Sequence, residues 1–504
     1  MDYPFDSVQS WLASLRVTTE MESMSLLQGK SLPQESQTSS QFDIKNGVDI
    51  LRNKSHNISN EFAKLFRCVE EEKWKNVRHL TLQVTCHIRS LIQECNECIM
   101  DPPLFLLEQQ EMVMGECAKL AQQVEGLNVP KGNIPQKVPL INQLTFLGQS
   151  FSKMVDFSLG YLVQKLVDSL DESHTPASLI SSINTVINMG VEAEDMCFIM
   201  AREGCVRALF EICKTESLEF VHVKALRALS TICCMTESIM ELAKEGGIEC
   251  LTDILCDSTI SEAVRGEAAG LVAQVTSPHL DNFHHIAGFL ENVQDLLGSL
   301  LSLCYNTASH DIFLLSTAAI ANITFMDNRT CEVLQQMNAA RHLIQCSYTR
   351  KAQTIFTKDQ IATILANMAV LDTARNDILR NDGLSVLVSF LQERPNQYTK
   401  EAELAACERV QQKAAIALAR LCRDGETAQV IIDLHGIPRL VQLCRNIKER
   451  NNSDAVLVAI LAALRKICSL CQTPDMTSVD FQQLIKPQLM DSFLMCSRTD
   501  ENFV

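Results

Sequence analysis

Apolar residues recur three and four positions apart along most of this chain, the spacing that gathers side chains on one face of a helix. Residues 48–122 show it at Phe62, Leu65, Phe66 and Val69, then at Val77, Leu80, Val84, Ile88 and Leu91. Pro102-Pro103 interrupts the pattern, and Gly126 to Pro139 reads as a Pro/Gly loop. A long helical run follows from about Leu140 to Leu170. Near the start, Val8, Trp11, Leu12 and Leu15 make a short apolar stripe, with Asp6 and Gln9 placed as a capping box. Between that stripe and the first long helix lies a stretch rich in Ser, Gln and Thr, which cannot bury enough apolar surface to order itself. The pattern therefore predicts a peptide arm at 1–30, a flexible linker at 31–46 and a helical extension at 47–175.

Beyond residue 176 the helical pattern becomes periodic. One five-residue phrase returns six times: Leu229–Cys233, Val272–Thr276, Ile320–Thr324, Leu365–Ala369, Leu418–Cys422 and Leu464–Cys468. Its starts are 43, 48, 45, 53 and 46 residues apart. A second mark precedes each phrase, at Gly204, Gly246, Asn292, Asn338, Gly383 and Gly436, with steps of 42, 46, 46, 45 and 53. Helical units with a period of roughly 40–47 residues are armadillo or HEAT repeats, which stack into a solenoid with a long binding groove. The distance from Gly383 to Leu418 is 35 residues against 25–28 in the other units. The surplus falls at Glu393–Glu401, which is polar, contains Pro395 and reads as a surface loop. The expected fold is an all-α armadillo-repeat solenoid over 176–480, with about six or seven repeats. An N-terminal helical extension and a flexible N-terminal peptide arm precede it. A terminal helix and tail at 481–504 follow, the helix interrupted by Pro487.

Composition narrows the function. Aromatics are 5% and Gly plus Pro number 31, which suits helices. The net charge of −17, from 44 basic and 61 acidic residues, gives no stripe to attract a phosphate backbone or an anionic membrane. The start, Met1 to Asp6, lacks an apolar run, so no secretory signal is expected. Many of the 21 cysteines, such as Cys233, Cys256, Cys304, Cys422, Cys444 and Cys468, occupy apolar helical positions, where free Cys is a small hydrophobe. A reducing, cytoplasmic setting follows. The uncharged run Ile312–Met326 is too short for a membrane span.

Motifs of bond chemistry fare poorly. Cys95 and Cys98 have zinc-ligand spacing, with Cys86 and His87 nearby, but no second pair follows and helix packing is the simpler reading. His279, His284 and His285 read as loop residues. Gly29-Lys-Ser31 lacks the earlier glycine and the strand of a phosphate loop. No GxSxG, GxGxxG or HExxH occurs, so no enzyme and no cofactor is expected. The third phrase position is different. It holds Thr231, Gln274, Asn322, Asn367, Arg420 and Lys466. In armadillo-type units it lies on the third helix, which lines the groove, and an amide there either packs within the stack or bonds a ligand's main chain. Asn322, Asn367, Gln274 and Arg420 are the groove candidates.

Four collinear stretches resemble the Inscuteable homolog family of cell-polarity adaptors. The first is Asp6–Leu12 with the following Thr-Glu-Met-Glu-Ser-Met and Leu-Gln-Gly-Lys30. Ala406–Ala415 and Asn452–Val458 lie inside the repeats, and Leu489–Ser497 through Phe503-Val504 ends the chain. The resemblance implies a non-enzymatic adaptor of oriented, asymmetric cell division at the apical cell cortex. Its partners would be a Partner of Inscuteable-type tetratricopeptide protein (LGN in vertebrates) with its inhibitory Gα subunit. On the other side stand a Bazooka-type PDZ polarity scaffold and atypical protein kinase C. The tetratricopeptide partner would take Val8, Trp11, Leu12 and Leu15, with Glu20 and Glu22 meeting basic residues of its groove. The tail Asn502, Phe503 and Val504 departs from a usual PDZ ligand at Asn502, while Val504 keeps the apolar end. The competing class, a nuclear import receptor, needs a Trp–Asn array in the groove. The two tryptophans here, Trp11 and Trp74, both lie outside the repeats.

Overall fold

The computed structural model describes residues 39–497 apart from 100–101, 126–136, 173–174, 193, 279, 281–282, 328, 396–399 and 473–475. The described residues contain helices and no strand, and no helix among them is long and apolar enough to cross a membrane. They fall into two compact units, within Leu32–Ile232 and within Cys233–Val504.

In the first unit, four long helices, α1 (Ser39–Glu70), α2 (Trp74–Cys98), α3 (Leu104–Glu125) and α4 (Lys137–Asp171), pack in a ring. The buried positions of α2 are Val77, Thr81, Val84, Ile88, Leu91 and Cys95. Those of α3 are Leu106, Gln110, Val113, Cys117, Leu120 and Val124. In α4 the same alternation of four and three runs through Leu140, Leu144, Leu147, Phe151, Met154 and Ser158. That is a heptad seam, the geometry of a four-helix bundle. The polar seam residues are satisfied locally: Thr81 donates to the Val77 carbonyl at 2.8 Å, and Gln110 and Asn96 exchange hydrogen bonds of 2.7 and 3.0 Å.

Two boundaries differ from the sequence reading. Helix α1 begins at Ser39, so 39–46, expected as linker, is helical. Gly47 lies so close to its neighbours that an added Cβ would sit 3.3 Å from both Cys98 and Leu162, and Val48 and Leu51 are buried. Once those residues are seated, extending the helix backwards needs no new nucleus. Pro139 falls in the first turn of α4, where its missing N–H is one of the unpaired donors anyway.

Helices Pro176–Glu192, Glu194–Arg202, Cys205–Lys214 and Glu219–Ile232 complete this unit. Arg202 Nη1 meets Asp156 of α4 at 2.9 Å, Arg207 meets Asp171 at 2.6 Å, and Lys45 of α1 meets Glu192 at 2.8 Å.

The second unit is a stack of armadillo repeats. The recurring phrase closes the third helix of each: Glu262–Val275, His310–Ile323, Ile355–Met368, Glu401–Leu421 and Asp454–Cys468, each packed on the next. Four of the five starts share a side-chain cap, with Ser261, Ser309, Thr354 and Ser453 accepting from the backbone three residues on, while Glu401–Leu421 begins at Lys400 without one. The second mark is the turn between the two shorter helices. Gly246 (φ 76°) and Asn338 (φ 55°) are left-handed there, whereas the left-handed residues of the later repeats are Asp382 and His435. Gly383 and Gly436 follow them and serve close approach instead: a Cβ on Gly383 would lie 2.7 Å from the Ile378 carbonyl oxygen. Asn292 departs from the pattern, with φ −116°.

The loop expected at 393–401 is non-helical at its described residues 393–395 and 400, and most of this repeat's surplus length lies in the helix that follows. The helix Glu401–Leu421 has 21 residues against 14 in Ile355–Met368, so seven residues, two turns, lengthen the third helix. At the end, Pro487 separates the π-helical turn Phe481–Ile485 from the helix Leu489–Cys496. Buried Arg450 donates to the Cys496 carbonyl at 2.6 Å, and Arg465 reaches the Pro487 carbonyl at 2.9 Å and Ser492 at 2.7 Å.

Candidate functional site

The third helices form the candidate surface, and the third phrase position has a specific job on it. The last four carbonyls of any helix lack intrahelical partners. Asn322 Nδ2 donates to one of them, Ala273 O of the preceding third helix, at 2.8 Å. Arg420 Nη1 does the same to Ala366 O at 2.7 Å, and Asn367 Nδ2 donates to Thr324 Oγ1 at 2.7 Å. These side chains are buried, and burial lowers the Arg420 guanidinium to about 10. The position therefore clasps one repeat to the one before. Gln274, the same position one repeat earlier, is buried with both amide atoms lacking a hydrogen-bond partner among the described residues.

The lengthened helix brings in a polar core. Asp359 accepts from Arg409 Nε at 2.8 Å and Lys413 Nζ at 2.6 Å, all three fully buried. Burial alone would raise the Asp359 carboxyl. Lys413 and Arg409 outweigh it and hold the group below the ordinary aspartate range. Gln411 Nε2 bridges the Glu393 and Glu449 carbonyls at 3.0 and 2.9 Å. Arg439 donates to Leu391 O at 2.7 Å and pairs with Glu449. None of these residues stood out in the sequence as a functional candidate. The available signal was a run of charged residues continuing a helical pattern whose neighbours are apolar.

The other candidates disperse. Cys95 lies in the bundle seam, its thiol raised by burial, while Cys98 is half-buried beside Gly47 and Cys86 is exposed. His87 Nδ1 lies 2.8 Å from Glu61. His284 and His285 belong to the short helix Phe283–Ile286 rather than to a loop. Burial pushes the thiols of Cys205 and Cys407 up to about 12, far from the thiolate a nucleophile needs. Val8, Trp11, Leu12, Leu15, Glu20 and Glu22, with Gly29-Lys-Ser31 and His279, lie outside the described residues, as do Asn502, Phe503 and Val504.

A family model described as the Protein inscuteable C-terminal matches residues 54–504. The chain belongs to the Inscuteable family. Mouse and human proteins named Protein inscuteable homolog are each 40% identical to it over 512 residues, covering 99% of this chain and 88% of theirs. Among solved structures, an engineered protein superposes with a TM-score of 0.53 at 18% identity, over 86% of this chain and 97% of its own, a likeness of fold alone. A designed armadillo repeat protein gives a TM-score of 0.42 at 20% identity, over 51% of this chain and 99% of its own.

Proposed function

We propose that this Inscuteable-family chain is a non-enzymatic adaptor of oriented cell division. It links a Bazooka-type polarity scaffold with atypical protein kinase C to a Partner of Inscuteable-type tetratricopeptide protein and, through that, to an inhibitory Gα subunit. The observation that carries the reading is identity to the named relatives over 99% of the chain, a span that takes in almost all of the N-terminal arm. The physical support is that Val8, Trp11, Leu12 and Leu15 form a stripe too short to fold alone, the kind of segment that buries its face in a partner's groove. Trp11 is the anchor, and truncating such an aromatic costs roughly 2 kcal/mol or more. Glu20 and Glu22 make the association salt-sensitive.

The test is binding of a synthetic 1–30 peptide to an isolated tetratricopeptide domain. Micromolar or tighter affinity is expected, with a large loss for Trp11→Ala and a salt-dependent loss for Glu20→Lys/Glu22→Lys. A wild-type peptide without affinity, or a Trp11→Ala peptide that binds equally well, removes the assignment. The same adaptor reading gives the third-helix face an extended segment of the polarity partner. Because Asn322 and Asn367 already clasp neighbouring repeats, the double Asn→Ala variant is informative. Loss of roughly 1–3 kcal/mol per bond with partner binding intact makes them clasps only.

A further inference from the structure

Between α1 and α4 the bundle leaves a groove of about 500 Å³ lined by Ser55, Ser59, Phe62, Phe66, Gly148 and Phe151, among others. Its volume lies within the roughly 300–1,000 Å³ range of ligand-holding clefts. The floor is apolar: Phe62 and Phe151 pair with ring centroids 5.8 Å apart, and Phe66 is half-exposed above them. Three of the four hydroxyls on its rim are spent on their own helices. Ser55 donates to Arg52 O at 3.0 Å, Ser59 to Ser55 O at 2.8 Å and Thr145 to Ile141 O at 2.9 Å. Gly148 leaves a notch, since an added Cβ would meet nothing within 4 Å. Gln149 and Ser152 complete the rim as exposed polar side chains. A seam between two helices with an apolar floor and a polar rim accepts a third amphipathic helix.

We propose that this groove is the intramolecular docking site of the chain's own apolar stripe, Val8, Trp11, Leu12 and Leu15, which the tetratricopeptide partner must displace. The inference rests on the proposed function for the role of the arm, and on the groove for the docking itself. Stripe and groove match in character: anchors at i, i+3, i+4 and i+7 are what a helix-lined apolar groove reads. They also match in reach. The 23 residues from 16 to 38 join the stripe to the start of α1, and as a flexible chain they span about 26 Å. At 1.5 Å per residue, Ser55 to Phe62 lie roughly 24–35 Å along α1 from Ser39. A tether matched to its span gives an effective concentration on the order of 1 mM. Stripe binding at about 100 μM would then weaken an external competitor about tenfold.

The full chain carries two tryptophans, so the Trp74→Phe variant leaves Trp11 as the single reporter. Trp11 emission is expected to be blue-shifted in that chain, with acrylamide quenching several-fold below that of the 1–30 peptide. Gly148→Leu fills the notch and should restore peptide-like quenching. Gly115→Leu on α3, where an added Cβ is equally unobstructed, should leave Trp11 protected. Peptide-like quenching in the starting chain overturns the proposal. So does protection that survives Gly148→Leu, which places Trp11 elsewhere, or protection that depends on protein concentration, which assigns the groove to a second copy. The linked expectation is that the tetratricopeptide domain binds the intact chain about tenfold more weakly than the peptide, with Gly148→Leu removing the difference. A peptide that fails to bind that domain sinks the proposed function while leaving the Trp11 readout standing.

Discussion

The helical bundle and the repeat stack solve one problem, ordering helices side by side, by different chemistry. The bundle relies on heptad seams, and its buried polar groups mostly close bonds on their own or the adjacent helix, as Thr81 and the Gln110–Asn96 pair do. The stack sends polar side chains from one repeat back to the one before, where Asn322 and Arg420 reach carbonyls that a helix end leaves unpaired. It also buries the ion triad of Asp359, Arg409 and Lys413. A bundle of the first kind is set by which residues fill the seam. A stack of the second kind fixes which helix follows which, because each polar group needs its partner.

The sharpest way to break the contrast is Asp359→Asn. Removing one partner of a buried ion cluster costs roughly 3–5 kcal/mol. The loss should appear in urea unfolding of the full chain, with faster hydrogen exchange in the helices Ile355–Met368 and Glu401–Leu421 and none in α1–α4. Its pH dependence has a definite sign. The folded carboxyl is held below its ordinary value, so its stabilisation is present above the unfolded value of about 3.9 and disappears as pH falls through the lower folded value. The wild-type chain should lose that increment in the acid range, and Asp359→Asn should lack it at every pH. A variant as stable as wild type at pH 7 would show that the triad is dispensable.

Glycine substitutions sharpen the comparison at intermediate size. In the stack, Gly383→Ala drives a methyl against the Ile378 carbonyl oxygen, 2.7 Å away, and should cost about 1–3 kcal/mol. In the bundle, Gly148→Ala meets open space within a helix and should stabilise by about 0.5–1 kcal/mol. Equal effects of one sign in denaturant titrations would contradict the geometry at one of the two sites.

The smallest effect is expected at Gln274. Its amide is buried with no partner among the described residues, so Gln274→Leu removes a desolvation cost of roughly 1 kcal/mol and should be neutral to mildly stabilising. A loss of more than 1 kcal/mol in thermal unfolding would reveal a partner for that amide and return this repeat to the clasp pattern of Asn322.

Periodicity alone determined the architecture. A phrase returning at 43 to 53 residues, with helical spacing inside it, leaves few folds but stacked helical repeats, and the phrase does end the third helix of each. The Ser and Thr caps at 261, 309, 354 and 453 were a further readable mark of where those helices begin. What the spacing could not convey was the partner of each polar residue. Asn322 and Asn367 have the residue type of a groove contact and equally that of an inter-repeat clasp, and only the approach of the preceding helix end separates the two. The start of α1 at Ser39 runs against a Ser-, Gln- and Thr-rich composition, and propagation backwards from the seated Val48 and Leu51 explains it. The two helical turns gained from Glu401 were legible in composition, since Glu401–Cys407 is rich in Ala, Glu and Leu. The register marks at Gly383 and Gly436 show the limit most simply. A glycine in a turn is legible from sequence, but whether it supplies a left-handed φ or room for a passing carbonyl depends on atoms that only the folded chain brings within 3 Å.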